Sequence, residues 1–239
     1  MGGRGSSRAA SRRSFVGGAP RFDPRSRSLL TGRDLDRFPG DGLFARVARA
    51  ACEAECLPRK ELYESWEVAR RVRRRLRGGR VVELAAGHGL VAHLMLLLDA
   101  SSETALAVDV KPVASAATLA ASLVARWPRL GGRVEHRLAD LESVPLARGD
   151  VVVSVHACGA LSDLVIGRAI DAYAAVAVLP CCHDAQTCDP GDLLGFLPLP
   201  LAVDATRVAR LRASGYRVVT QTIPAAITPH NRLIIGLPA

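Results

Sequence analysis

Gly79-Arg80-Val81-Val82-Glu83-Leu84-Ala85-Ala86-Gly87-His88-Gly89-Leu90 reads as a strand that runs into a glycine-bracketed turn and then directly into a helix. Val81, Val82 and Leu84 favour extended, buried backbone, and an apolar helical stretch follows from Leu90 to Leu98. A second apolar run, Ala105-Leu106-Ala107-Val108, closes on Asp109, twenty residues after Gly89. A strand, a tight turn, a helix and a second strand ending in an acid form the unit that holds a nucleoside in an open parallel sheet. The glycines let backbone approach a ligand closely, and the acid accepts hydrogen bonds from ribose hydroxyls.

The residues around the turn narrow the ligand. A dinucleotide fingerprint reads G-x-G-x-x-G and sets a pyrophosphate on the helix N-terminus. Here Ala92 takes the third glycine position, and Glu83 lies at the end of the first strand. A carboxylate is electrostatically wrong beside a phosphate and right beside a cation. The pattern E-x-x-x-G-x-G with a downstream acid resembles the first motif of class I S-adenosylmethionine (SAM) methyltransferases, over Arg80 to Asp109. The resemblance implies SAM as cofactor. Glu83 would stand at its amino-acid end, Asp109 at its ribose and Asp140, after the third strand, at its adenine, with Ala85, Gly87 and Gly89 of the turn also binding it.

From Arg80 onward the chain alternates. The pattern predicts strands near 80–84, 105–109, 133–138, 150–156, 175–180, 216–222 and 231–237, with helices near 89–99, 112–127, 160–173 and 203–214. Such alternation predicts an α/β fold, a mostly parallel seven-stranded sheet with helices on both faces. No helix separates the last two strands, so the last strand is expected antiparallel, again as in the Rossmann-like class I methyltransferase sheet. Two further motifs stand at strand ends: His156-Ala157-Cys158-Gly159 and Pro180-Cys181-Cys182-His183. They resemble a branch of this family that includes tRNA acceptor-stem 2′-O-methyltransferases and uncharacterised methyltransferase-domain proteins. The zinc-finger cysteines of the eukaryotic tRNA enzymes have no counterpart here, so fold and cofactor carry over better than the tRNA substrate.

An Asn/Asp-Pro-Pro-aromatic motif, which holds a planar amine in many base-methylating relatives, is replaced here by His156-Ala157-Cys158-Gly159. A hydroxyl acceptor fits better, because imidazoles titrate near working pH and can take its proton. His156 and His183 are the two candidates for that base, with pocket shaping as the competing role of His156. Cys158, Cys181 and Cys182 are expected to line the substrate pocket. No metal is expected, because C-C-H-x4-C lacks the gap that lets paired cysteines wrap zinc. His93 is expected at the surface, His136 in strand packing, and His230 in a plain turn or at the substrate mouth.

The 239 residues allow one α/β domain with an appendage, and no apolar run is long enough for a membrane span. Residues 1–80 hold 20 basic and 9 acidic side chains, net +11, while 81–239 hold 12 and 14, net −2. That asymmetry suggests a polyanionic partner, with RNA first, although 30 of the 32 basic residues are arginine and the bias can be compositional. Residues 1–40 are expected to be disordered and basic, 41–79 a helical extension, and 80–239 the SAM-binding domain. Within the extension, Trp66 is expected to anchor against the sheet, and Arg70, Arg71, Arg73, Arg74, Arg75 and Arg77 to form a solvated or phosphate-contacting face. Six cysteines without a secretory leader point to a reducing compartment, cytoplasmic unless the Arg/Ser-rich start is a transit peptide. The reading is therefore a SAM-dependent transferase acting on RNA, with a ribose 2′-hydroxyl preferred. Protein or small-molecule methylation, an NAD-binding oxidoreductase and a non-catalytic RNA-binding module are the alternatives.

Overall fold

The computed structural model describes residues 22–239. Seven strands form one sheet in the order β3-β2-β1-β4-β5-β7-β6. They are β1 (Val81–Leu84), β2 (Ala105–Asp109), β3 (Val134–Leu138), β4 (Val151–Ser154), β5 (Ala175–Val178), β6 (Tyr216–Thr222) and β7 (Arg232–Pro238). The first five are parallel, and β7 runs antiparallel to both β5 and β6. The strand order reverses between β1 and β4, which is where such sheets open a crevice beyond their carboxyl ends.

Side-chain alternation divides the core into two layers. Val81, Ala105, Ala107, Val151 and Val153 face α1 (Leu43–Ala54), α2 (Arg59–Arg73), α3 (Leu90–Leu98) and α4 (Ala116–Arg126). Val82, Leu84, Leu106, Val108, Val152 and Val176 face α5 (Ala160–Asp171) and α6 (Leu199–Ala213). Strands buried on both faces must read as continuous apolar runs, and these do. α3 is buried from Leu90 through Leu97 because α2, α4 and the sheet enclose it.

The N-terminal helices belong to the same core as the sheet. Residues 22–40, expected to be disordered, are also packed: Leu30 is fully buried, Phe38 stacks edge-on against Phe22, and Leu29 bridges to Pro58. The apolar residues at 22, 29, 30 and 38 offset a composition that otherwise reads as solvated. The remainder of that expectation, residues 1–21, lies outside the described residues. Trp66 packs against the same core as the sheet and meets Phe44 of α1, with ring centroids 5.2 Å apart.

The arginines of α2 also divide. Arg73 is buried and donates to the carbonyls of Met95 (3.0 Å) and Leu76 (3.3 Å) and to Ser102 Oγ (2.7 Å), with Asp99 at 3.6 Å. Arg70 and Arg71 pair with Glu67. Arg74, Arg75 and Arg77 remain exposed. Loss of Arg73 strands several buried polar groups, so Arg73→Met is expected to lower the unfolding free energy in urea by about 2–4 kcal/mol. Arg74→Met should stay within about 0.5 kcal/mol of wild type. Equal effects at the two positions would show that Arg73 has no special structural role.

Candidate active site

The turn after β1 is fixed by backbone geometry. Ala85 takes φ +54, Gly87 +52 and Gly89 +69. A side chain at Gly87 would meet nothing within 4 Å, so this glycine faces open space. At Gly89 a Cβ would stand 2.5 Å from His136 Cε1 and 3.1 Å from Ala107 Cβ, so only glycine fits. Asp109, at the end of β2, accepts from Gly87 N–H (2.9 Å) and Lys111 N–H (3.1 Å), one bond on each carboxylate oxygen. Gly87 and Asp109 line a hollow of about 200 Å³ with Ala86, Val113, His136 and Leu138.

Glu83 is not among the residues lining this hollow. Its buried carboxyl lies beneath the turn, where Oε2 accepts from Ala92 N–H at 2.7 Å. Burial pushes its pKa up to about 8, against the pull of the Ala92 and Val91 amides, so the group is protonated at neutral pH. The expected negative charge facing a sulfonium is replaced by a neutral carboxyl that caps α3. Asp140 is also away from the hollow; its Oδ1 accepts from Glu142 N–H and caps the 3-10 turn Leu141–Ser143.

Of the two histidines near the turn, His93 departs from the expected surface position, while His136 packs in edge strand β3 as expected. His93 is buried, its Nδ1–H donating to the Gly89 carbonyl at 2.7 Å, and burial pushes its pKa down to about 4. α3 has no solvent face, so His93 has nowhere exposed to go. His136 packs beside it, ring centroids 5.6 Å apart, and reaches the hollow.

A second cavity, of about 460 Å³, opens at the ends of β4 and β5. Strand register explains its contents. Ser154 lies beside Val178, so the residues that follow, His156 with Cys158 and Cys181 with Cys182, emerge side by side. Gly159 N–H donates to the Cys182 carbonyl at 3.3 Å, tying the two loops together. All four of these residues line the cavity, as does His230. The far wall comes from α2: Lys60, Glu61 and Glu64. Nothing in the sequence of a first helical turn marks it as facing the ends of β4 and β5, which lie far downstream in the chain.

His88 ties the glycine turn to the wall of the second cavity. Its Nδ1 lies 3.2 Å from Glu61 Oε2 and its Nε2 3.0 Å from Ser115 Oγ. Burial works against the charge on Glu61, but the His88 hydrogen bond and the nearby imidazoles of His156 and His88 outweigh it and hold its carboxyl below the usual range. Glu64 is buried, takes Lys60 Nζ on Oε1 at 2.5 Å, and leaves Oε2 without a hydrogen-bond partner. Burial pushes the Cys158 and Cys181 thiols up, and the neighbouring thiol of Cys182 adds to it, so both are neutral at physiological pH.

His183 does not line this cavity. Its Nε2 is bound to Asp204 Oδ1 at 2.8 Å, and Asp204 also takes Arg232 Nε at 2.6 Å and Arg207 Nη1 at 3.3 Å. Arg207 is buried and grips Asp163 with two bonds (2.8 and 2.7 Å) and the Gly159 carbonyl with a third (3.0 Å). The network braces both cysteine loops from below and makes His183 a structural ligand of Asp204.

The protonated state of Glu83 has a thermodynamic signature. The folded chain keeps a proton there that the unfolded chain releases above the ordinary value of 4.5, so stability falls as pH rises from 4.5 to about 8 and levels off beyond. Glu83→Gln, which keeps an acceptor for Ala92 N–H, should remove that slope. Unfolding free energies of both proteins across this range test it, and parallel curves would refute it.

Comparison with known proteins follows this geometry. The family model described as a methyltransferase domain matches residues 60–187. Among solved structures, an O-methyltransferase family protein from Burkholderia thailandensis superposes with a TM-score of 0.52 at 21% identity, covering 88% of this chain and 63% of its own. The pyocyanin biosynthetic protein PhzM gives 0.51 at 20% identity, covering 87% of this chain and 61% of its own. The chain thus spans about three-fifths of the length of these relatives, and at such identities they establish the fold alone. No curated protein sequence matches. The hollow beside Gly87 and Asp109 has the chemistry a nucleoside needs: a glycine open to it, a carboxylate beside that glycine, and an otherwise mainly apolar lining that also includes Lys111, His136 and Arg137. With the matched segment covering more than half of the sequence, the chain belongs to the methyltransferase-domain family and shares the fold of these structures.

Proposed function

We propose that this methyltransferase transfers the methyl group to a hydroxyl of RNA, with the ribose 2′-oxygen as acceptor and His156 as the base that takes its proton. The observation that carries the reading is the position of His156: half-buried, in a cavity joined through Glu61 and His88 to the glycine turn. When bound, SAM supplies a methyl group on a sulfonium, which an aligned oxygen attacks in line. Asp109 and Gly87 would hold its nucleoside, as the resemblance implies. The chain's contribution is largely alignment, worth several kcal/mol as effective molarity. Glu64 Oε2, buried and lacking a donor, offers a place for an acceptor N–H or O–H. Arg27 and Lys60 at the same cavity suit a neighbouring phosphate. A cavity of about 460 Å³ takes one nucleotide, so RNA would enter as a single splayed residue.

One observation favours a second reading, a protein or small-molecule acceptor. Arg75 and Arg77 line a different hollow with Arg148, Val151 and Ala175, at the amino ends of the strands. The sheet therefore separates this basic cluster from the acceptor cavity, so it cannot itself hold the reacting nucleotide.

Labelled SAM incubated in parallel with total RNA, protein and metabolites distinguishes the readings. Label in RNA that survives alkali, which cleaves only beside a free 2′-hydroxyl, supports the first; label confined to another pool rejects it. His156→Gln should lower kcat by about 10²–10⁴-fold with SAM affinity retained. Asp109→Ala should weaken SAM binding in a calorimeter by about 1.5–3 kcal/mol, as loss of charged hydrogen bonds does, and an unchanged affinity would remove Asp109 from the cofactor site.

A further inference from the structure

The sulfur atoms of Cys158, Cys181 and Cys182 all lie within 4.8 Å of one another. Two come from adjacent positions after β5 and the third from the loop after β4, so the spacing C-C-H-x4-C, read without Cys158, understates the ligand set. We infer that these three thiols form a site for a soft divalent ion, with zinc the best fit, and that its open fourth position faces the acceptor cavity.

The geometry needs little adjustment. A tetrahedral zinc thiolate site has Zn–S distances of about 2.3 Å, which sets the sulfurs about 3.8 Å apart. Closing the group to that spacing is a matter of rotamers and small loop shifts, since all three residues sit in loops outside regular structure. The frame is already fixed. Gly159 N–H is bonded to the Cys182 carbonyl, Arg207 holds the Gly159 carbonyl, and His183 ties the second loop to Asp204. Ordering the ligands therefore costs less than it would in a flexible hairpin. Three thiolates select soft ions over magnesium or calcium. All three cysteines line the cavity, together with His156 and His230, so a fourth ligand can be an imidazole, water or an acceptor oxygen. Three protein ligands with one exchangeable position is the pattern of reactive rather than purely structural zinc.

The site does not depend on RNA as the acceptor, and its test reads metal rather than methyl transfer. Full-length protein is loaded with zinc, dialysed against metal-free buffer with reductant, and its metal content is measured. Stoichiometric zinc is expected. Cobalt in its place should give a sulfur-to-metal charge-transfer band in the near ultraviolet. Cys181→Ser should weaken binding by more than about 100-fold, beyond the 10–100-fold typical of losing a mere supporting residue, whereas Cys56→Ser, outside the cluster, should not. Because a serine variant can misfold, a second measurement uses the wild type alone. Bound zinc should shield Cys158, Cys181 and Cys182 from alkylation, a chelator should expose them, and Cys56 should react equally in both states. Negligible zinc after loading, zinc undiminished when all three residues are serine, or a chelator-independent alkylation pattern would each overturn the inference.

Discussion

A carboxyl buried beneath a glycine turn determines where everything else can stand. Glu83 reaches from the end of β1 to the amide of Ala92 in α3, and this one hydrogen bond fixes the helix N-terminus against the strand. Asp109 holds the same turn from the next strand through the Gly87 amide. With both anchors in place, Gly87 is left facing the hollow and His88 is aimed at Glu61. A buried carboxyl is costly when ionised, and Glu83 avoids that cost by keeping its proton. The hollow is therefore shaped by a protonated carboxyl beneath the turn and a second carboxyl beside it.

The acceptor side is built on a different principle. Its loops carry no regular structure, so their shape is imposed from below by a hydrogen-bonded polar network: Arg207 between Asp163 and Asp204, and His183 and Arg232 on Asp204. Asp204 stays ionised because these partners outweigh its burial. Such networks contribute little net stability but tolerate few alternative arrangements, since removing one member leaves an uncompensated charge. Rigid loops at the ends of two strands are what alignment of acceptor and methyl group demands.

Much of this was legible in the sequence. The β-branched runs marked the strands to within a few residues, and the glycine turn with Asp109 marked the hollow. Where reading failed, contacts distant along the chain decided the outcome. Glu83 was legible as important, but its direction depends on where α3 lands. His93 seemed a surface residue by type, although Leu94-Met95-Leu96-Leu97-Leu98 left the helix without a polar face and was the available signal. His183 looked equivalent to His156 because both follow strands; only the position of Asp204 in α6 separates them. Glu61 and Glu64 carried no signal, because a helix before the first strand meets the fourth only after the sheet is assembled.

The wall supplied by α2 and the residues before it bears on how this enzyme type can diversify. The matched family segment begins at residue 60, yet Arg27 and Pro58, ahead of it, also border the acceptor cavity. Part of this cavity's wall thus lies ahead of the matched segment, whereas the glycine turn and Asp109 lie wholly inside it. Changes at positions 27 and 58 would reshape the mouth of the cavity and leave the turn that carries the glycines as it is.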